Sequence, residues 1–370
     1  MKQHKIIHMV VGRADPNTSN GVNRWVHNVA TIQKKQGYDI EVWGITKNTH
    51  LTKHEHIYPL QLFKPMKFPF GNDKKLIYKL KTIPKNTIFH LHSVFIFEFY
   101  LFSRNLKKYG FKWVLSPHGG YASKENILLK LIYKKLFENK IIKEASAIHA
   151  ISFNDIDEIS KKKFGMAYNG VQFNSNFKTI YSKDLSLRIN YCGRLAITHK
   201  GLDLLLKAIY LFKKQEKNIY LDLVGDGPDK TLLKKKIESL NLTNNVSFYG
   251  NKFGTEKDEI IKKSDLFIHC SRWEAMPLAI LEAASLAIPL LVSKPTNLAD
   301  HVLKSKAGFV INELTPKNIS EMFLVVFNEK IIGQLENKGK AARKMVIENF
   351  SWEKTVELLN KNVYSKIKFI

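Results

Sequence analysis

Cysteine is almost absent from this sequence. Its 370 residues include two, Cys192 and Cys270, which cannot form the disulfide framework typical of small secreted domains. The low count fits a reducing compartment, and the fold must then depend on a packed core. Both cysteines stand in short β-type runs, where we interpret them as small apolar residues without a catalytic role.

Long hydrophobic runs are also lacking. The longest, residues 277–292, is interrupted by Glu282 and falls short of the roughly 18 apolar residues that a membrane span needs. The apolar stretch near the start is too short for a signal peptide and leads into Arg13, so we interpret it as the first strand of a folded domain. We therefore expect a cytoplasmic protein.

Acidic side chains are few relative to basic ones, 33 against 59, which gives a net charge of +26. Residues 1–175 carry 28 basic and 12 acidic side chains, or +16, and the remainder carries 31 and 21, or +10. Such a surface attracts polyanions, which include nucleic acid, an anionic membrane and phosphorylated substrates. Lysines are spread along the whole chain, so the charge could equally be compositional, and by itself it assigns no partner.

The sequence has no internal repeat or low-complexity tract, but short β-rich runs alternate with helical patterns. Apolar strands that lead into helices indicate parallel sheets covered on both faces. A first series predicts strands at 6–11, 39–43, 87–91, 112–116 and 147–151, and helices at 23–36 and 126–143. A second predicts strands at 189–192, 220–224, 246–248, 266–270 and 290–292, and helices at 202–215, 230–240, 256–263 and 278–286.

Between the two series, residues 173–186 are polar and irregular, and we place a domain boundary there. The prediction is an α/β protein with two Rossmann-like domains facing each other across a cleft. The first would be residues 1–175, completed by a helix at 352–370, and the second residues 176–351. In open sheets of this kind, ligands bind beyond the carboxyl ends of the strands.

Two strand-to-loop junctions carry residues suited to a phosphate. One ends in Asn20-Gly21 before a helix, whose free N–H groups could bind an anion, although an ordinary loop explains this pattern as well. The other carries Arg194 and Lys200, two cations that could hold a diphosphate without a metal. A pair of solvated surface charges is the alternative for these two residues.

A third junction, residues 271–278, places Glu274 in a loop before a helix that contains Glu282. A carboxylate within such an apolar helix is costly unless it is paired or binds a ligand, and near a helix N-terminus it is favoured. The alternative for Glu282 is a charge on a solvated helix edge. We favour two acids with a binding role.

Histidines raise a separate question. His118 follows a predicted strand and precedes two glycines, which favours a functional role, although a lone histidine is more often structural. His90 and His92 alternate along one strand and so share a face. A metal pair is conceivable there, but no cysteine or acid follows at ligand spacing, and we predict no metal.

Asp155 and Asp157 match by letter the D-x-D of metal-dependent transferases. They stand at the start of a helical pattern, where aspartate is favoured as a cap, and we interpret them in that way.

Together, these segments resemble the retaining glycosyltransferases of family 4, also called group 1, which have the GT-B fold. The stretch from Glu274 to Glu282 resembles the family's E-x7-E signature. Asn20-Gly21 departs from the family's common Gly-Gly, a small change because asparagine tolerates the left-handed conformation. The other matching segments follow the family's order over nearly the whole chain: residues 116–119, 145–152, 168–171, 191–195, 200–203, 223–228 and 350–353.

The resemblance implies where a nucleotide-sugar donor would bind. Arg194, Lys200 and Gly21 would hold its diphosphate, and Glu282 its ribose. The nucleobase would lie near Gly225, Gly250, Asn251 and Lys252.

The resemblance also implies the catalytic residues, Glu274 and His118, which would contact the donor sugar. Glu274 would position the sugar and stabilise charge, while the leaving phosphate helps to deprotonate the acceptor. The sugar and phosphate would also meet the loop formed by Ala275, Met276, Pro277, Leu278 and Ala279.

By the same resemblance, the chain would be a metal-independent hexosyltransferase with a UDP- or GDP-linked donor as substrate and no cofactor. Its acceptor would be a glycan or lipid-linked molecule in bacterial surface polysaccharide or lipopolysaccharide synthesis. The more basic first domain and the lysines among apolar residues 123–143 suggest peripheral attachment to the anionic inner face of the plasma membrane.

Other activities stay open. A sugar-nucleotide epimerase or a phosphorylase could share the fold. A basic nucleic-acid-binding protein is a more distant alternative, and we expect no nucleic acid as partner, because the sequence has no basic-aromatic motif of a known binder.

Overall fold

The computed structural model describes residues 4–18, 20–50, 56–65, 71–122, 126–156, 160–161, 163–173 and 175–369. The chain forms two compact units: unit 1 comprises Met1–Asn169 with Trp352–Ile370, and unit 2 comprises Gly170–Ser351. The polar segment that follows the change of unit packs on unit 2. There the Lys178 N–H donates to Leu286 O (3.0 Å) and the Tyr181 hydroxyl to Ala287 O (2.6 Å).

Unit 1 is built on a seven-stranded parallel sheet in the order β3-β2-β1-β4-β5-β6-β7. Its strands are β1 (Ile6–Val11), β2 (Ile40–Ile45), β3 (Leu60–Phe63), β4 (Ile88–His92), β5 (Lys112–Ser116), β6 (Ala147–Ala150) and β7 (Phe164–Met166). Its first five helices are α1 (Gly21–Lys35), α2 (Lys74–Thr82), α3 (Phe97–Lys108), α4 (Ile127–Tyr133) and α5 (Asn139–Glu144).

The single helix predicted over residues 126–143 is interrupted. A π-helical turn, Lys134–Glu138, separates α4 from α5. This turn directs the buried Glu138 inward, where its carboxylate accepts hydrogen bonds from the Phe95 N–H and the Tyr121 hydroxyl, both at 3.1 Å. Residues 123–125 of the lysine-rich stretch lie outside the described residues.

Unit 2 is built on a six-stranded parallel sheet in the order β10-β9-β8-β11-β12-β13. Its strands are β8 (Ser186–Cys192), β9 (Asn218–Val224), β10 (Val246–Gly250), β11 (Leu266–His269), β12 (Leu290–Ser293) and β13 (Gly308–Ile311). Its helices are α6 (Ile197–Lys200), α7 (Leu202–Lys213), α8 (Lys230–Ser239), α9 (Gly254–Lys262), α10 (Leu278–Ser285), α11 (Ala299–Lys304), α12 (Pro316–Ile331) and α13 (Leu335–Asn349).

The chain then returns to unit 1 through α14 (Trp352–Leu358), which continues as a π-helical turn (Leu359–Val363) and a 3₁₀ turn (Tyr364–Lys366). The Thr355 hydroxyl donates to Tyr168 O (2.9 Å), and the Trp352 ring meets Trp25 edge-on at 6.5 Å. No helix in the described part of the chain is both long and apolar enough to cross a membrane.

Both sheets share the arrangement of the Rossmann fold. Counted from its first strand, each contains the order 3-2-1-4-5-6, and unit 1 adds β7 at the edge. The order reverses between β1 and β4 in unit 1 and between β8 and β11 in unit 2. Loops diverge at these switch points and leave a crevice at the carboxyl ends of the strands. The fold therefore predicts functional side chains at two places, the reversal between β1 and β4 and the reversal between β8 and β11.

A buried cation stabilises the start of the central strands of unit 2. The Lys330 ammonium, on α12, donates to Asp265 Oδ2 (2.8 Å), Asp184 Oδ1 (3.0 Å) and Ser186 O (2.6 Å), and its side chain is 1% exposed. Asp265 Oδ2 also accepts the Arg188 N–H (2.9 Å). Removal of one member of such a group leaves a buried charge without its counter-charge.

We therefore expect Lys330→Met to lower the free energy of unfolding of unit 2 by about 3 kcal/mol, because Asp265 loses its buried counter-ion. Scanning calorimetry measures this loss. The matched control is Lys317→Met on the same helix, whose side chain is 81% exposed and lies 3.9 Å from Glu321; its effect should stay within about 0.5 kcal/mol. Equal stability of the two variants would refute a stabilising role for Lys330.

Candidate active site

The switch point of unit 2 carries a buried ion pair. Lys200 ends α6, in the segment after β8, and Glu274 lies in the loop after β11; their side chains form a salt bridge and are 11% and 12% exposed. Neighbouring strands β8 and β11 are parallel, so the segments that follow them leave the sheet at the same edge. Two residues predicted from separate strand-to-loop junctions thus lie together in the structure.

Three further groups surround the same carboxylate oxygen of Glu274. Its Oε1 accepts from the Ser271 hydroxyl (3.1 Å) and from His269 Nε2 (3.3 Å), and His199 Nε2 lies 3.5 Å away. Burial alone would raise the pKa of Glu274, but the Lys200 ammonium and the hydrogen bond from His269 outweigh it and hold the pKa well below its ordinary value. Glu274 is therefore ionised at neutral pH.

The loops after β8 and β11 are fastened to each other beside this pair. The Arg272 guanidinium makes two bonds to the Asp203 carboxylate, 3.0 and 2.8 Å, and a third to Thr198 O (2.8 Å). The His199 ring stacks on Trp273 at 4.8 Å and donates from Nε2 to its carbonyl (2.9 Å). Paired bonds of the Arg–Asp kind fix geometry as well as charge, so the two loops form one rigid support.

Residues at the end of β12 and shortly after it hold the backbone of the Glu274 loop. Asn297 Nδ2 donates to both Glu274 O and Ala275 O at 2.7 Å, and the Ser293 hydroxyl donates to Ser271 O at 2.7 Å. Asn297 adopts a left-handed conformation (φ 59°) that asparagine tolerates better than most residues. Met276 is buried, while Ala275, Pro277, Leu278 and Ala279 stay partly exposed where the loop enters α10.

Glu282 lies on α10 and pairs with Lys257 of α9, whose Nζ is 3.0 Å from Glu282 Oε2. Both side chains are largely buried, so Glu282 does not lie on a solvated helix edge. The cost of a carboxylate in an apolar helix is offset by this cation. Lys257 went unrecognised in the sequence because it stands in a helix with alternating charges, where a lysine is ordinarily solvated.

Close backbone approach explains two glycines of this region. A Cβ at Gly201 would come within 2.2 Å of Cys270 O, and one at Gly225 within 2.0 Å of Gly193 O; both residues have positive φ, 66° and 132°. The Gly225 N–H donates to Gly250 O (2.7 Å), so the ends of β9 and β10 meet there. The neighbouring Lys252 forms a salt bridge with Glu256, and Asn251 is exposed.

Arg194 differs from Lys200. Its side chain is exposed and, among the described residues, makes no ion pair, whereas its carbonyl accepts the Tyr191 hydroxyl (3.0 Å). Gly21, in unit 1, is exposed at the start of α1, and a Cβ there would meet open space. The Asn20 side chain caps this helix by accepting from Val22 N–H (3.0 Å) and Asn23 N–H (3.3 Å).

His118 lies in unit 1, in a left-handed conformation (φ 52°) two residues after the end of β5. Its Nε2 is 3.0 Å from His92 Nδ1, and its ring packs edge-on against Trp25 at 5.2 Å. The predicted common face of His90 and His92 is confirmed, with ring centroids 4.2 Å apart. His8, which no local pattern singles out in the sequence, lies opposite His90 because β1 and β4 pair in parallel.

His8, His90 and His92 are close enough to be considered as metal ligands, since one nitrogen from each ring lies within 4.8 Å of the others. However, all six ring nitrogens already have a hydrogen-bond partner. A metal would have to displace several of these bonds, so the donor set fits an ion poorly.

Asp155 acts as a cap. Its carboxylate accepts N–H groups of Ile151 (3.0 Å), Ser152 (3.3 Å) and Gly119 (2.5 Å), and it so holds the turn after His118. Burial raises the pKa of Asp155 to about 6 against the lowering effect of these bonds. Asp157 lies outside the described residues.

The Lys200–Glu274 pair can be tested without a ligand. We expect Lys200→Met to cost unit 2 about 3 kcal/mol, because Glu274 loses its counter-ion, while Lys200→Met combined with Glu274→Gln costs clearly less than the sum of the single changes. Chemical unfolding of the four proteins at neutral pH gives the coupling. Additive effects would contradict a direct pair.

The pH dependence of the free energy of unfolding provides a second test of the Lys200–Glu274 pair. Because the folded pKa of Glu274 lies below its ordinary value near 4.5, its contribution to stability is present above that value and is lost as the pH falls through the folded pKa. Acidification should therefore destabilise the wild type more steeply than Glu274→Gln.

Two family models match the chain. The model of "Glycosyltransferase Family 4" matches residues 19–173 and that of "Glycosyl transferases group 1" residues 176–345, so together they cover well over half of it. Protein CapJ of Staphylococcus aureus is 28% identical over 268 residues, which is 68% of this chain and only 62% of CapJ. The UDP-Gal:alpha-D-GlcNAc-diphosphoundecaprenol alpha-1,3-galactosyltransferase of Escherichia coli is 27% identical over 276 residues, 68% of each chain.

Solved structures share the fold at low identity. Sucrose-phosphate synthase from Thermosynechococcus elongatus matches with a TM-score of 0.79 and 15% identity, covering 97% of this chain and 98% of that one. Anabaena Alr3699/HepE in complex with UDP-glucose matches with a TM-score of 0.74 and 17% identity, covering 97% and 99%. The chain belongs to the group 1, or family 4, glycosyltransferases and has their GT-B fold.

Proposed function

We propose that this glycosyltransferase moves a hexosyl group from a UDP- or GDP-linked donor to a glycan or lipid-linked acceptor, with retention of configuration and without a metal or cofactor. The observation that carries the proposal is the buried Lys200–Glu274 pair at the switch point of unit 2, next to the glycine-bearing ends of β8, β9 and β10. A diphosphate needs cations and close backbone approach, and a sugar needs a fixed carboxylate.

Glu274 would act on the donor sugar as a fixed anion. Its ionised carboxylate can accept hydrogen bonds from sugar hydroxyls and stabilise the positive charge that develops at the anomeric carbon as the bond to phosphate breaks. A bond forms between the acceptor oxygen and this carbon while the carbon–phosphate-oxygen bond breaks. The acceptor proton passes to the departing phosphate, so the products are the glycosylated acceptor and a nucleoside diphosphate.

Lys200 and Arg194 would bind the donor diphosphate, Arg194 with an exposed guanidinium and Lys200 by sharing its charge between Glu274 and phosphate. Glu282 would bind the ribose hydroxyls, with Lys257 holding the carboxylate in place. The nucleobase would lie near Gly225, Gly250, Asn251 and Lys252, where partly exposed backbone is available.

The names of relatives support the choice of substrates. The related enzyme of Escherichia coli is named for a UDP-galactose donor and a diphosphoundecaprenol-linked acceptor, and the Anabaena protein was solved with UDP-glucose. A nucleoside diphosphate donor and a lipid-linked acceptor in surface polysaccharide or lipopolysaccharide synthesis are therefore the substrates that we propose for this chain.

An exposed surface on α4 supports an acceptor at a membrane. Large apolar side chains stand in solvent there, including Leu128 (71% exposed) and Leu129 (68% exposed). A cavity of about 310 Å³ lies beside them, lined by Phe95, Tyr121 and Ile127 together with Lys130 and Lys134, among others. Apolar surface bordered by cations suits an anionic lipid headgroup with its chains. We propose peripheral attachment of unit 1 to the inner face of the plasma membrane.

A screen of nucleotide sugars by thermal shift tests the donor. A donor at about 100 times its dissociation constant should add about 2.7 kcal/mol of stability. Incubation of that donor with extracted membrane lipids then separates the activities: a transferase needs the acceptor to release nucleoside diphosphate, an epimerase releases it alone, and a phosphorylase needs phosphate. No shift with any UDP- or GDP-sugar would contradict the proposal.

Because Glu282 is proposed to bind the ribose and Glu274 to act on the sugar, substitutions of the two residues should have different effects on binding and on turnover. Glu282→Gln should raise the dissociation constant of the nucleoside diphosphate about tenfold, through loss of a charged hydrogen bond to ribose, and Glu274→Gln should lower kcat about 100-fold with little effect on that constant. Calorimetric titration measures the dissociation constant, and initial rates measure kcat. The control is Glu321→Gln, an exposed acid on α12, which should change neither. Identical kinetics of all three variants would refute these roles.

Membrane attachment is tested by vesicle flotation at physiological salt. Vesicles that contain phosphatidylglycerol should carry the wild type, whereas Leu128→Ser with Leu129→Ser should reduce binding about tenfold or more, since each buried leucine contributes about 1.5–3 kcal/mol. The control is Leu232→Ser on α8 of unit 2, a leucine exposed elsewhere. Equal recovery on neutral and anionic vesicles, or no effect of the double change, would contradict attachment through α4.

A further inference from the structure

Unit 1 contains a chain of buried imidazole rings that the proposed reaction does not use. His8 and His90 lie opposite each other on β1 and β4, His92 follows on β4, and His149 lies on β6; all four are fully buried. Burial is the main cause that lowers the pKa of each, to about 4 for His8 and His149, so every ring is neutral at pH 7. A neutral ring donates from one nitrogen and accepts at the other.

One end of this chain has a fixed direction. His149 Nε2 lies 2.9 Å from Ala167 O, an oxygen that can only accept, so His149 carries its proton on Nε2 and Nδ1 must accept. The Ser116 hydroxyl, 2.6 Å from that Nδ1, therefore donates to it. Since the hydroxyl has one proton, His90 Nε2, 2.6 Å from the same oxygen, must donate. His90 Nδ1 then accepts the Tyr364 hydroxyl at 2.8 Å.

Gln33 sets the direction of a second segment. Its side-chain oxygen Oε1 lies 2.7 Å from His8 Nε2, and an amide oxygen can only accept. His8 therefore carries its proton on Nε2. The Gln33 amide nitrogen, among the described residues, has no hydrogen-bond partner.

The second segment runs from Gln33 to His118. Gln33 Oε1 accepts from His8 Nε2 at 2.7 Å, so His8 Nδ1 must accept from His92 Nε2 at 2.9 Å. His92 Nδ1 is then an acceptor, and His118 Nε2 donates to it at 3.0 Å. Each ring in this segment thus donates from Nε2 and accepts at Nδ1. Within the described part of the chain, His118 Nδ1 has no hydrogen-bond partner.

We propose that this chain, through Gln33, His8 and His92, fixes His118 as the Nε2–H tautomer and so presents its Nδ1 as a hydrogen-bond acceptor for a substrate hydroxyl. Gln33, His8 and His92 are positioning residues in this scheme, and His118 is the group that contacts the substrate. That the hydroxyl belongs to the donor sugar rests on the proposed function; the tautomer itself does not.

The donor-to-acceptor direction of these hydrogen bonds affects which substrate His118 can bind. A bare imidazole nitrogen accepts from a hydroxyl but repels a carboxylate, which can only accept. The chain therefore favours a sugar with a hydroxyl at the position next to His118 over one with a carboxylate there. A histidine free to change its tautomer would not impose this choice, because either nitrogen could carry the proton.

The tautomer can be read directly in the full-length wild-type protein without any ligand. Labelling with ¹⁵N-histidine and long-range ¹H–¹⁵N correlation distinguish protonated from bare ring nitrogens, and loss of one signal set in His118→Ala assigns the residue. At pH 7 we expect a bare Nδ1 and a protonated Nε2 for His118. A proton on Nδ1, or on both nitrogens, overturns the proposal.

Gln33→Glu tests the control of His118 from a distance. The introduced carboxylate draws a second proton onto His8, which then donates from Nδ1 to His92 Nε2, and His92 in turn donates to His118 Nε2. His118 should therefore move its proton to Nδ1, and kcat for a donor with the hydroxyl should fall about tenfold. Lys34→Gln, an exposed neighbour on α1, is the control and should change neither spectrum nor rate.

The outcomes separate this inference from the proposed function. The Nε2–H tautomer in a protein without transferase activity would leave the chain established and the function wrong. Transferase activity with His118 in the Nδ1–H form would leave the function established and this inference wrong. If Gln33→Glu folds and the His118 spectrum stays that of the wild type, Gln33 does not set the tautomer. If that variant does not fold, the wild-type spectrum alone decides.

Discussion

The buried ion pair between Lys200 and Glu274 is the constraint on which the rest of unit 2 depends. Neither charge could stand alone at this level of burial, so the segments that follow β8 and β11 must stay together. The bonds from Arg272 to Asp203 and from Asn297 to the loop backbone serve this requirement, since they fix the two segments in one geometry. A preorganised anion of this kind needs little rearrangement when charge develops beside it.

Both units gather their polar groups at the same topological position by different means. In unit 2 the reversal of strand order between β8 and β11 is occupied by opposite charges that neutralise each other. In unit 1 the corresponding reversal, between β1 and β4, is occupied by His8, His90 and His92, which are neutral and linked by hydrogen bonds. A charged group can bind a charged ligand strongly, whereas a neutral ring with a fixed tautomer determines which of its nitrogens donates a hydrogen bond and which accepts one.

Much of this architecture could be predicted from the sequence, because apolar strands and amphipathic helices have clear periods. β1 and β5 were predicted with the bounds they have in the structure, and Glu274 and Lys200 were identified from their positions after strands. β3 and β7 were missed because they are short and carry no strong pattern. The break at Lys134–Glu138 was missed because a π turn has no sequence signature of its own.

The partners of the site were harder to predict than its main residues. Lys257, Asn297 and His8 act through contacts with residues far away in the sequence, at positions 282, 274 and 92. The local sequence pattern does not encode such contacts, because they depend on which strands and helices become neighbours in the fold. The direction of the histidine hydrogen bonds is even less accessible from the sequence, since it follows from two oxygens that can only accept, Ala167 O and Gln33 Oε1.

The central claim is that unit 2 binds the nucleoside diphosphate of a donor at the carboxyl ends of β8, β9, β10 and β11. Hydrogen–deuterium exchange with and without UDP or GDP tests it most directly. The account predicts that one nucleotide slows exchange in residues 193–201, 225–228, 250–254 and 271–282, while α12 is unaffected. Unchanged exchange in all four segments at saturating concentrations of both nucleotides would contradict it.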